Sequence, residues 1–159
     1  MLKKVVQVQR GGGQEVRIAI VGAQYNAKYV DGMLRAAKQT LRSNGVKSKN
    51  LKIVRVPGAF ETPVVVAKLA SLEDERRFDA IIGLGVILEG ATSHAEHIGT
   101  AVTQAFADIQ VRYHVPIIHE VLVFNSPDLA RERCLSKTHN RGTEAANTAL
   151  DMVRVMQTL

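Results

Sequence analysis

Four apolar segments of strand length alternate along the chain with longer segments in which apolar residues recur at helical spacing. The predicted strands cover residues 16–21, 51–56, 78–88 and 116–124. The predicted helices cover residues 27–43, 62–72, 93–113, 126–134 and 142–156. Strands that alternate with helices are joined by right-handed crossovers, which predicts an α/β three-layer sandwich: a four-stranded, mostly parallel sheet with helices on both faces. Ligands of such sheets bind at the carboxyl ends of the strands, so the loops that follow the strands form the candidate site.

Turn and capping residues indicate where several of the predicted helices begin and end. Gly45 is expected to end the first helix, because glycine readily adopts the left-handed conformation found at helix C termini. Thr62 is expected to cap the second helix, with Pro63 in its first turn. Ser126, followed by Pro127, is expected to start the short fourth helix. These signals locate the loops independently of the apolar spacing.

The first 15 residues have the pattern of an arm attached to a single domain. Residues 4–9 alternate as an edge strand does, and the three glycines 11–13 follow as a flexible hinge. A strand isolated by a hinge needs a sheet edge to join, in its own subunit or in a neighbouring one. We therefore predict an arm over residues 1–15 and one domain with its own core over residues 16–159.

The composition limits which binding partners and which cellular compartment we expect for the protein. Apolar residues make up 46% of the 159 residues and charged residues 23%, as in ordinary globular proteins. The apolar segments are too short to span a membrane, and the N-terminal one is too short for a signal peptide. The net charge of +6 comes from scattered basic residues, and there is no Trp to stack on bases, so a solvated surface is favoured over nucleic-acid binding. The single Cys134 excludes an internal disulfide and fits a reducing cytoplasm.

The segment 90–97 carries the strongest chemical signal. It joins a predicted strand to a predicted helix, and a glycine turn at a helix N terminus leaves backbone N–H groups free to bind an anion. His94, two residues after Thr92, would place an acid/base group beside that anion. His94 and His97 share a helical face and could instead bind a metal, but no third ligand has recognisable spacing. We therefore predict no metal site and interpret His97 as structural.

The other strand-end loops each allow a functional and a structural interpretation. Tyr25 could lie against a planar ligand or could cap the core. Phe60 supplies a second apolar face, and Glu61 could accept hydrogen bonds from a polyol or merely stabilise a helix N terminus. Arg133 could complete an anion site with a bidentate contact, although spacing alone does not bring it there.

The order of these segments resembles the lumazine synthase family. The resemblance rests on Val-Pro-Gly-Ala-Phe-Glu at 56–61, Gly-Val-Ile-Leu-Glu-Gly-Ala-Thr-Ser-His at 85–94, Arg133, and Asn-Arg-Gly-Thr-Glu-Ala-Ala at 140–146. It covers the chain from about residue 16 to the C terminus and implies a flavodoxin-like sandwich. It also implies the condensation of 5-amino-6-ribitylamino-uracil with 3,4-dihydroxy-2-butanone 4-phosphate in riboflavin biosynthesis, with loss of phosphate and water and without a metal or organic cofactor.

The resemblance also implies roles for individual residues. His94 would transfer protons, and Ala91 and Thr92 would hold the phosphate together with Arg133. Arg141 stands near the site where the family usually has Lys. The residues that would contact the ribitylamino-uracil are Tyr25, Asn26, Ala59, Phe60, Glu61, Val86, Ile87 and Leu88. Among them, Glu61 would bond the ribityl hydroxyls.

His119, Glu120 and Glu89 also depart from the family pattern. The chain has His119-Glu120 where the family has Phe-Gly, at the place from which a neighbouring subunit normally contributes a stacking Phe. The imidazole of His119 would stack more weakly than Phe. Glu89 stands where many members carry a base, and its carboxylate should weaken anion binding unless it points outward. These departures leave open a catalytically weak paralogue that binds ligands or forms shells. A third reading, a flavodoxin-like FMN carrier, is opposed by the missing Ser/Thr-rich phosphate loop.

The family resemblance also implies self-association. Family members form pentamers, decamers or icosahedral shells of pentamers, and their active sites lie between two subunits of a pentamer. Longer connections before the final helix accompany free pentamers in this family. The connection 135–140 is short, so a homopentamer that assembles into an icosahedral shell in the cytoplasm is predicted.

Overall fold

A computed structural model describes residues 13–159 as a parallel sheet between two layers of helices. The strands are β1 (Ile18–Ala23), β2 (Leu51–Val56), β3 (Ala80–Leu88) and β4 (Ile117–Phe124). They lie in the order β2-β1-β3-β4, and every neighbouring pair is parallel. The predicted flavodoxin-like α/β sandwich is thereby confirmed, and β2 and β4 are the edge strands of the sheet that residues 13–159 form.

Five helices cover the two faces of the sheet. They are α1 (Ala27–Ser43), α2 (Thr62–Ala70), α3 (His94–Tyr113), α4 (Pro127–Leu135) and α5 (Arg141–Gln157). Helices α1, α4 and α5 pack on one face, and α2 and α3 pack on the other. Within residues 13–159, none of these helices combines the length and the apolar character that crossing a membrane requires.

The central strand β1 explains why the apolar segments are uninterrupted. Ile18 and Ile20 belong to the core on the α1/α5 face, whereas Ala19 and Val21 belong to the core on the α2/α3 face. All four side chains are fully buried. A strand buried on both faces has no solvated side on which polar residues would alternate. Each buried isoleucine contributes on the order of 2 kcal/mol through the apolar surface it removes from water.

The C terminus of α1 confirms the predicted role of Gly45. This residue has φ 95°, in the left-handed region. Its N–H donates to the carbonyl oxygen of Arg42 over 3.0 Å, and the N–H of Val46 donates to that of Leu41 over 3.1 Å. These two bonds form a Schellman motif, which satisfies carbonyl groups that the end of a helix leaves without partners.

The predicted cap of α2 is wrong, whereas Ser126, the predicted start of the fourth helix, is the N-cap of α4. The Ser126 hydroxyl oxygen accepts a hydrogen bond from the N–H of Leu129 over 3.2 Å and so caps α4. Thr62 is instead the first residue of α2, and its buried hydroxyl donates to the carbonyl oxygen of Ala59 over 2.6 Å. The N-cap position belongs to Glu61, because a short 3₁₀ turn precedes the helix directly.

The start of α5 is fixed by a cap and by a close approach to α1. The Asn140 side chain accepts a hydrogen bond from the N–H of Gly142 over 2.9 Å and donates one to the carbonyl oxygen of Cys134 over 2.7 Å. A Cβ atom at Gly142 would lie 2.0 Å from the carbonyl oxygen of Met33 in α1. Only glycine permits this separation of the two helices.

Strands β1 and β3 begin two residues later than predicted. Before them, the N–H of Arg17 donates to a carboxylate oxygen of Asp79 over 2.7 Å, and the N–H of Asp79 donates to the carbonyl oxygen of Arg17 over 2.8 Å. This pair replaces the regular ladder at the entrance of both strands. Apolar spacing extends over Val16 and Phe78 because both are buried, although neither belongs to a strand.

The predicted arm lies mostly outside the described residues. The edge strand over residues 4–9 and the first two hinge glycines belong to the part that is not described. Gly13 begins a 3₁₀ turn, Gly13–Glu15, and is buried. Its N–H donates to the carbonyl oxygen of Asn44 over 3.2 Å, which ties the turn to the end of α1.

Candidate active site

A cleft of about 940 Å³ opens at the carboxyl ends of β1, β2 and β3. Most of the predicted site residues line it. The lining residues are Tyr25, Asn26, Gly58, Ala59, Phe60, Glu61, Val86, Ile87, Leu88, Gly90, Thr92, His94, Ala95, His97, Ile98 and Ala101. The topology therefore brings together three of the four strand-end loops, as expected for an open parallel sheet.

The loop after β1 presents an aromatic ring to the cleft. The N–H of Tyr25 donates to the carbonyl oxygen of Pro57 over 3.0 Å, and the N–H of Gln24 donates to that of Val56 over 2.8 Å. Both bonds tie the loop to the end of β2. Tyr25 is 75% exposed. Its ring therefore does not cap the core and lines the cleft instead.

Asn26 connects the first and third strand-end loops. Its backbone is left-handed, with φ 56°, a conformation that Asn adopts more easily than most residues. Its side-chain amide donates a hydrogen bond to the carbonyl oxygen of Val86 over 2.8 Å. This contact places Asn26 beside the end of β3 and gives it a structural function that sequence reasoning missed. The positive φ is the local signal, and sequence alone does not reveal it.

The loop after β2 contributes a second ring and a carboxylate. Ala59–Glu61 form a 3₁₀ turn in which Ala59 is buried and Phe60 is 61% exposed. Glu61 occupies the N-cap position of α2, but its side chain accepts no capping hydrogen bond. The carboxylate lines the cleft instead. The purely structural interpretation of Glu61 as a helix cap is therefore disfavoured.

The third loop joins an apolar wall to the N terminus of a long helix. Val86 is buried, and Ile87 and Leu88 are half-buried at the end of β3. Helix α3 begins at His94 and runs for 20 residues, and the preceding Ser93 makes no side-chain capping bond to its first turn. The first turn therefore keeps N–H groups that favour an anion. His94 is exposed at this point and lines the cleft.

His97 has a local partner one turn further along α3. Its Nε2 atom lies 3.2 Å from the hydroxyl oxygen of Ser93, within hydrogen-bond distance. Among the described residues 13–159, no group of three or more His, Cys, Asp and Glu side chains is arranged to hold a metal ion.

Glu89 lies just outside the lining of the cleft. It is exposed, and its backbone N–H donates to the carbonyl oxygen of Phe124 over 2.9 Å, which extends the ladder between β3 and β4. The cleft is lined by its neighbours Leu88 and Gly90. Glu89 therefore does not belong to the lining of the cleft of its own chain.

His119 lies on β4, outside the cleft of its own chain, on the face covered by α3. Its Nε2 atom is 2.8 Å from the hydroxyl oxygen of Thr103, whose own hydrogen is donated to the carbonyl oxygen of Gly99 over 2.7 Å. The Nδ1 atom accepts the N–H of Val121 over 3.3 Å. These contacts assign the neutral Nε2–H tautomer, because the hydroxyl accepts and the backbone N–H donates.

The environment of His119 favours this uncharged form. Burial is the largest cause that lowers the pKa of His119, and the positive charge of Arg141 lowers it further. The ring also packs edge-on against Phe106, with centroids 5.3 Å apart and planes 79° apart. A neutral imidazole in this geometry presents an aromatic surface rather than a charge.

Arg133 and Arg141 lie on the opposite face of β4 and are joined by glutamates. Arg133 Nη2 lies 3.2 Å from Glu144 Oε1, and Arg141 Nε lies 2.8 Å from Glu120 Oε2. Arg141 also contacts the second carboxylate oxygen of Glu144. We refer to these four side chains as the β4 ion network. Sequence reasoning missed it, because its members are distant in sequence and belong to three different elements.

Glu120 is the most buried member of the β4 ion network. Its side chain is 5% exposed, and burial raises its pKa to about 7 against the opposing attraction of Arg141. The thiol of Cys134 is buried nearby, and burial raises its pKa to about 12, so it remains uncharged at neutral pH. The network therefore changes its net charge near neutrality through Glu120.

A parallel sheet with a largely apolar strand-end cleft, flanked by a helix N terminus and a few polar groups, defines the class of α/β proteins that bind small molecules. The family model of 6,7-dimethyl-8-ribityllumazine synthase matches residues 15–157. A 6,7-dimethyl-8-ribityllumazine synthase of Halorhodospira halophila is 38% identical over 146 residues, which cover 92% of each chain. One of Stenotrophomonas maltophilia is 33% identical over 146 residues, again covering 92% of each chain.

The chain therefore belongs to the 6,7-dimethyl-8-ribityllumazine synthase family. The resemblance predicted from the motifs is confirmed, and so is the predicted enzyme class, a transferase of riboflavin biosynthesis. The alternative of a catalytically weak binding or shell protein is not favoured. Small-molecule substrates and self-association follow as general properties of the family.

Proposed function

We propose that the protein condenses 5-amino-6-ribitylamino-uracil with 3,4-dihydroxy-2-butanone 4-phosphate to form 6,7-dimethyl-8-ribityllumazine, with release of phosphate and water. The observation that carries this proposal is the composition of the cleft. Two exposed rings, an apolar strand end and a free carboxylate lie beside a helix N terminus and a histidine. A flat pyrimidine ring with a polyol side chain and a phosphate ester together need such a combination of surfaces.

The ribitylamino-uracil is assigned to the apolar side of the cleft. The rings of Tyr25 and Phe60 supply flat surfaces for the pyrimidine, and Val86, Ile87 and Leu88 line the wall opposite solvent. Stacking against such rings contributes about 1 kcal/mol beyond the area that is buried. This contribution orients the ring without any charged group.

The ribityl chain is assigned to the turn that follows β2. Ala59 and Phe60 flank the chain, and Glu61 accepts hydrogen bonds from its hydroxyl groups. Asn26 completes this substrate's contacts from the other side of the cleft, where its amide is already held by Val86. A carboxylate that no capping bond occupies is well suited to a neutral polyol.

The phosphate is assigned to the N terminus of α3. Ala91 and Thr92 precede the helix, and the backbone N–H groups there attract an anion. Thr92 lines the cleft, and Ala91 is exposed beside it. Arg133 is proposed to complete this half of the site with a charged hydrogen bond.

His94 is proposed to transfer protons during the condensation. An amine attacks a ketone, water and phosphate leave, and the ring closes, so protons must be removed from nitrogen and delivered to departing oxygen. His94 lines the cleft as the first residue of α3, next to the proposed phosphate position. Imidazole is the side chain that most readily both accepts and donates a proton in catalysis near neutral pH. Positioning the two substrates supplies the rest of the acceleration.

Three proposed site residues belong to a neighbouring copy of the chain. His119, Arg133 and Arg141 lie on or beside β4, an edge strand, whereas the cleft of the same chain lies at the ends of β1, β2 and β3. A closed ring of five copies brings the edge of one subunit against the cleft of the next. We propose that His119 lies against the pyrimidine in the neighbouring cleft. Arg133 and Arg141 would lie at the phosphate of the butanone phosphate in the same cleft.

The pentamer is the proposed unit of assembly, and an icosahedral shell of pentamers in the cytoplasm is the proposed larger form. The connection before α5 supports the shell, because it spans only Ser136 to Asn140. Light scattering and analytical ultracentrifugation measure the particle directly. A particle no larger than a pentamer would exclude the shell.

The activity is tested by mixing the purified protein with both substrates and following lumazine formation by absorbance. Formation of the lumazine well above the spontaneous rate is expected. Binding of both substrates without turnover would overturn the proposed reaction. It would support instead a catalytically weak paralogue that only binds ligands or forms shells.

A further inference from the structure

The β4 ion network alternates in charge from one end to the other. Arg133 bonds one oxygen of Glu144, Arg141 contacts the other oxygen, and Arg141 also bonds Glu120. With Glu120 ionised, the four charges sum to zero. With Glu120 protonated, the network carries one net positive charge. A single proton therefore decides whether the surroundings of Arg133 are neutral or cationic.

The groups around Glu120 leave it as the member that titrates near neutrality. Arg141 and Glu144 face it from α5, and Arg133 and Cys134 belong to α4. His119 is adjacent in sequence, but its ring lies on the other face of β4 and its pKa is lowered by burial. Burial raises the pKa of Glu120 to about 7, and its side chain has only 5% exposure to water.

We propose that Glu120 is a positioning residue that sets the affinity for the substrate phosphate through Arg141, Glu144 and Arg133. The proposal rests on the proposed function, in which Arg133 binds that phosphate. Glu120 acts at a distance and touches neither substrate.

Two physical effects act in the same direction. When Glu120 is ionised, Arg141 is shared between two carboxylates, so Glu144 retains a stronger hold on Arg133. When Glu120 is protonated, Arg141 turns to Glu144 alone, which weakens the bond from Glu144 to Arg133. The network also gains one positive charge, which attracts the phosphate. The protonated state therefore binds the phosphate more tightly.

Protonation of Glu120 and binding of the phosphate are thermodynamically linked, so each affects the other equally. A ligand that prefers the protonated state raises the pKa of Glu120 when it binds, so binding near pH 7 takes up protons. A purely structural ion pair would hold α5 on β4 without this proton uptake.

The kinetic test compares the native chain with Glu120→Gln, which imitates the protonated carboxyl, and with Glu132→Gln, an exposed glutamate of α4, as the control. The KM for the butanone phosphate is measured from pH 5.5 to 8.5. The ratio of native to Glu120→Gln KM is expected to rise from about one at low pH to roughly fivefold at high pH, with kcat little changed. The substrate phosphate also titrates in this pH range, but it affects the KM of both chains equally and so does not change the ratio. A ratio that stays constant across the range would overturn the proposal.

A binding measurement keeps the test independent of turnover. Calorimetry with inorganic sulfate, which stays a dianion at these pH values, is run in two buffers of different ionisation enthalpy. At pH 7 the native chain should take up a fraction of a proton and Glu120→Gln should take up less. Equal proton uptake by the two chains would refute the role of Glu120.

The two hypotheses fail in different ways. Turnover with a flat KM ratio would reject the role of Glu120 and leave the proposed function standing. Absence of turnover in all three chains would reject the proposed function, while the sulfate measurement would still decide whether Glu120 controls anion affinity. If Glu120→Gln does not fold, Glu120→Asp, which keeps a titratable carboxyl but withdraws it from Arg141, should shift the pH at which KM changes. An unshifted KM profile would again count against the proposal.

Discussion

The side-chain amide of Asn26 donates a hydrogen bond to the carbonyl oxygen of Val86 over 2.8 Å and so joins the loop after β1 to the end of β3. This bond spans 60 positions of sequence. It fixes one side of the cleft relative to the other. Because Tyr25 directly precedes Asn26, the same bond also restricts where the ring of Tyr25 can lie.

Replacing Asn26 by Asp should destabilise the protein and raise the KM for the ribitylamino-uracil. The carboxylate offers only acceptors to a carbonyl oxygen, so the bond is lost and repulsion is added, at a cost of about 2 kcal/mol. Asn26→Gly is the comparison variant, because it permits the left-handed backbone at φ 56° and removes the bond without adding a charge. Urea denaturation measures both. Equal stability of the Asp variant and the native chain would contradict the importance of this contact.

Arg133→Ala should raise the KM for the butanone phosphate more than any other kinetic constant. A hydrogen bond to a charged group contributes about 1.5–3 kcal/mol, which corresponds to roughly 10- to 100-fold in affinity. Arg131→Ala is the control, since Arg131 lies on the same helix, is exposed and pairs only with the exposed Asp128 in the described structure. A similar rise of KM in both variants would show that general charge, rather than this position, attracts the substrate.

His94→Ala should lower kcat without abolishing turnover. Loss of a general acid–base group costs about 100-fold or more, whereas the positioning of the two substrates is retained. Glu96→Gln, an exposed change in the same helical turn, should leave kcat within about twofold. Steady-state kinetics at saturating substrate measure both variants. Unchanged kcat in His94→Ala would remove this residue from the mechanism.

The shared site supplies a further check on these two variants. If Arg133 completes a neighbour's cleft, particles assembled together from His94→Ala and Arg133→Ala chains contain some native sites. Random mixing gives roughly a quarter of the native activity, because each site draws one residue from each of two adjacent copies. Activity no higher than that of the separate variants would place both residues in the site of one chain.

The stability of the protein should fall as the pH rises from about 4.5 to about 7. Burial raises the pKa of Glu120 from 4.5 to about 7, so in this range the native state holds a proton that the unfolded chain has released. The free energy of unfolding then decreases by about 3 kcal/mol across the range and levels off above it. Urea denaturation as a function of pH should show a smaller decrease for Glu120→Gln. Identical slopes in the two chains would mean that Glu120 titrates normally.

Gly142→Ala should strongly destabilise the protein. The added Cβ would lie 2.0 Å from the carbonyl oxygen of Met33, so α1 and α5 would have to separate. Such overpacking costs about 1–3 kcal/mol or more. Gly90→Ala is the control, because a Cβ there meets no atom within 4 Å. Chemical denaturation of both variants decides the point, and comparable stabilities would contradict the tight helix contact.

The fold could be predicted largely because its elements have clear periodicity. Helix α1 and strand β2 have the predicted bounds, since their apolar faces and end signals coincide. The loops of the cleft could be predicted because the carboxyl ends of parallel strands meet at one edge, and the family resemblance then named individual residues such as Val86 and Ala59. Helix ends set by tertiary contacts were less predictable, as the different role of Thr62 illustrates.

The β4 ion network lay beyond the reach of sequence reasoning. Arg141 and Glu120 are 21 positions apart, and Arg133 and Glu144 are 11 positions apart, on separate elements. Neither separation has a period that places two side chains together. Only the packing of α4 and α5 against β4 decides which arginine meets which glutamate, and the same packing buries Glu120.

The close approach at Gly142 has a mechanical consequence for its neighbour Arg141. The first turn of α5 is anchored to the backbone of α1 and by the Asn140 side chain, so the main chain of Arg141 has almost no freedom to move. We therefore expect a change in the charge of Glu120 to rotate the guanidinium group of Arg141 and not to displace the helix. Gly142 thus holds the first turn of α5 rigid, so that protonation of Glu120 would reorient the Arg141 side chain without changing the shape of the subunit.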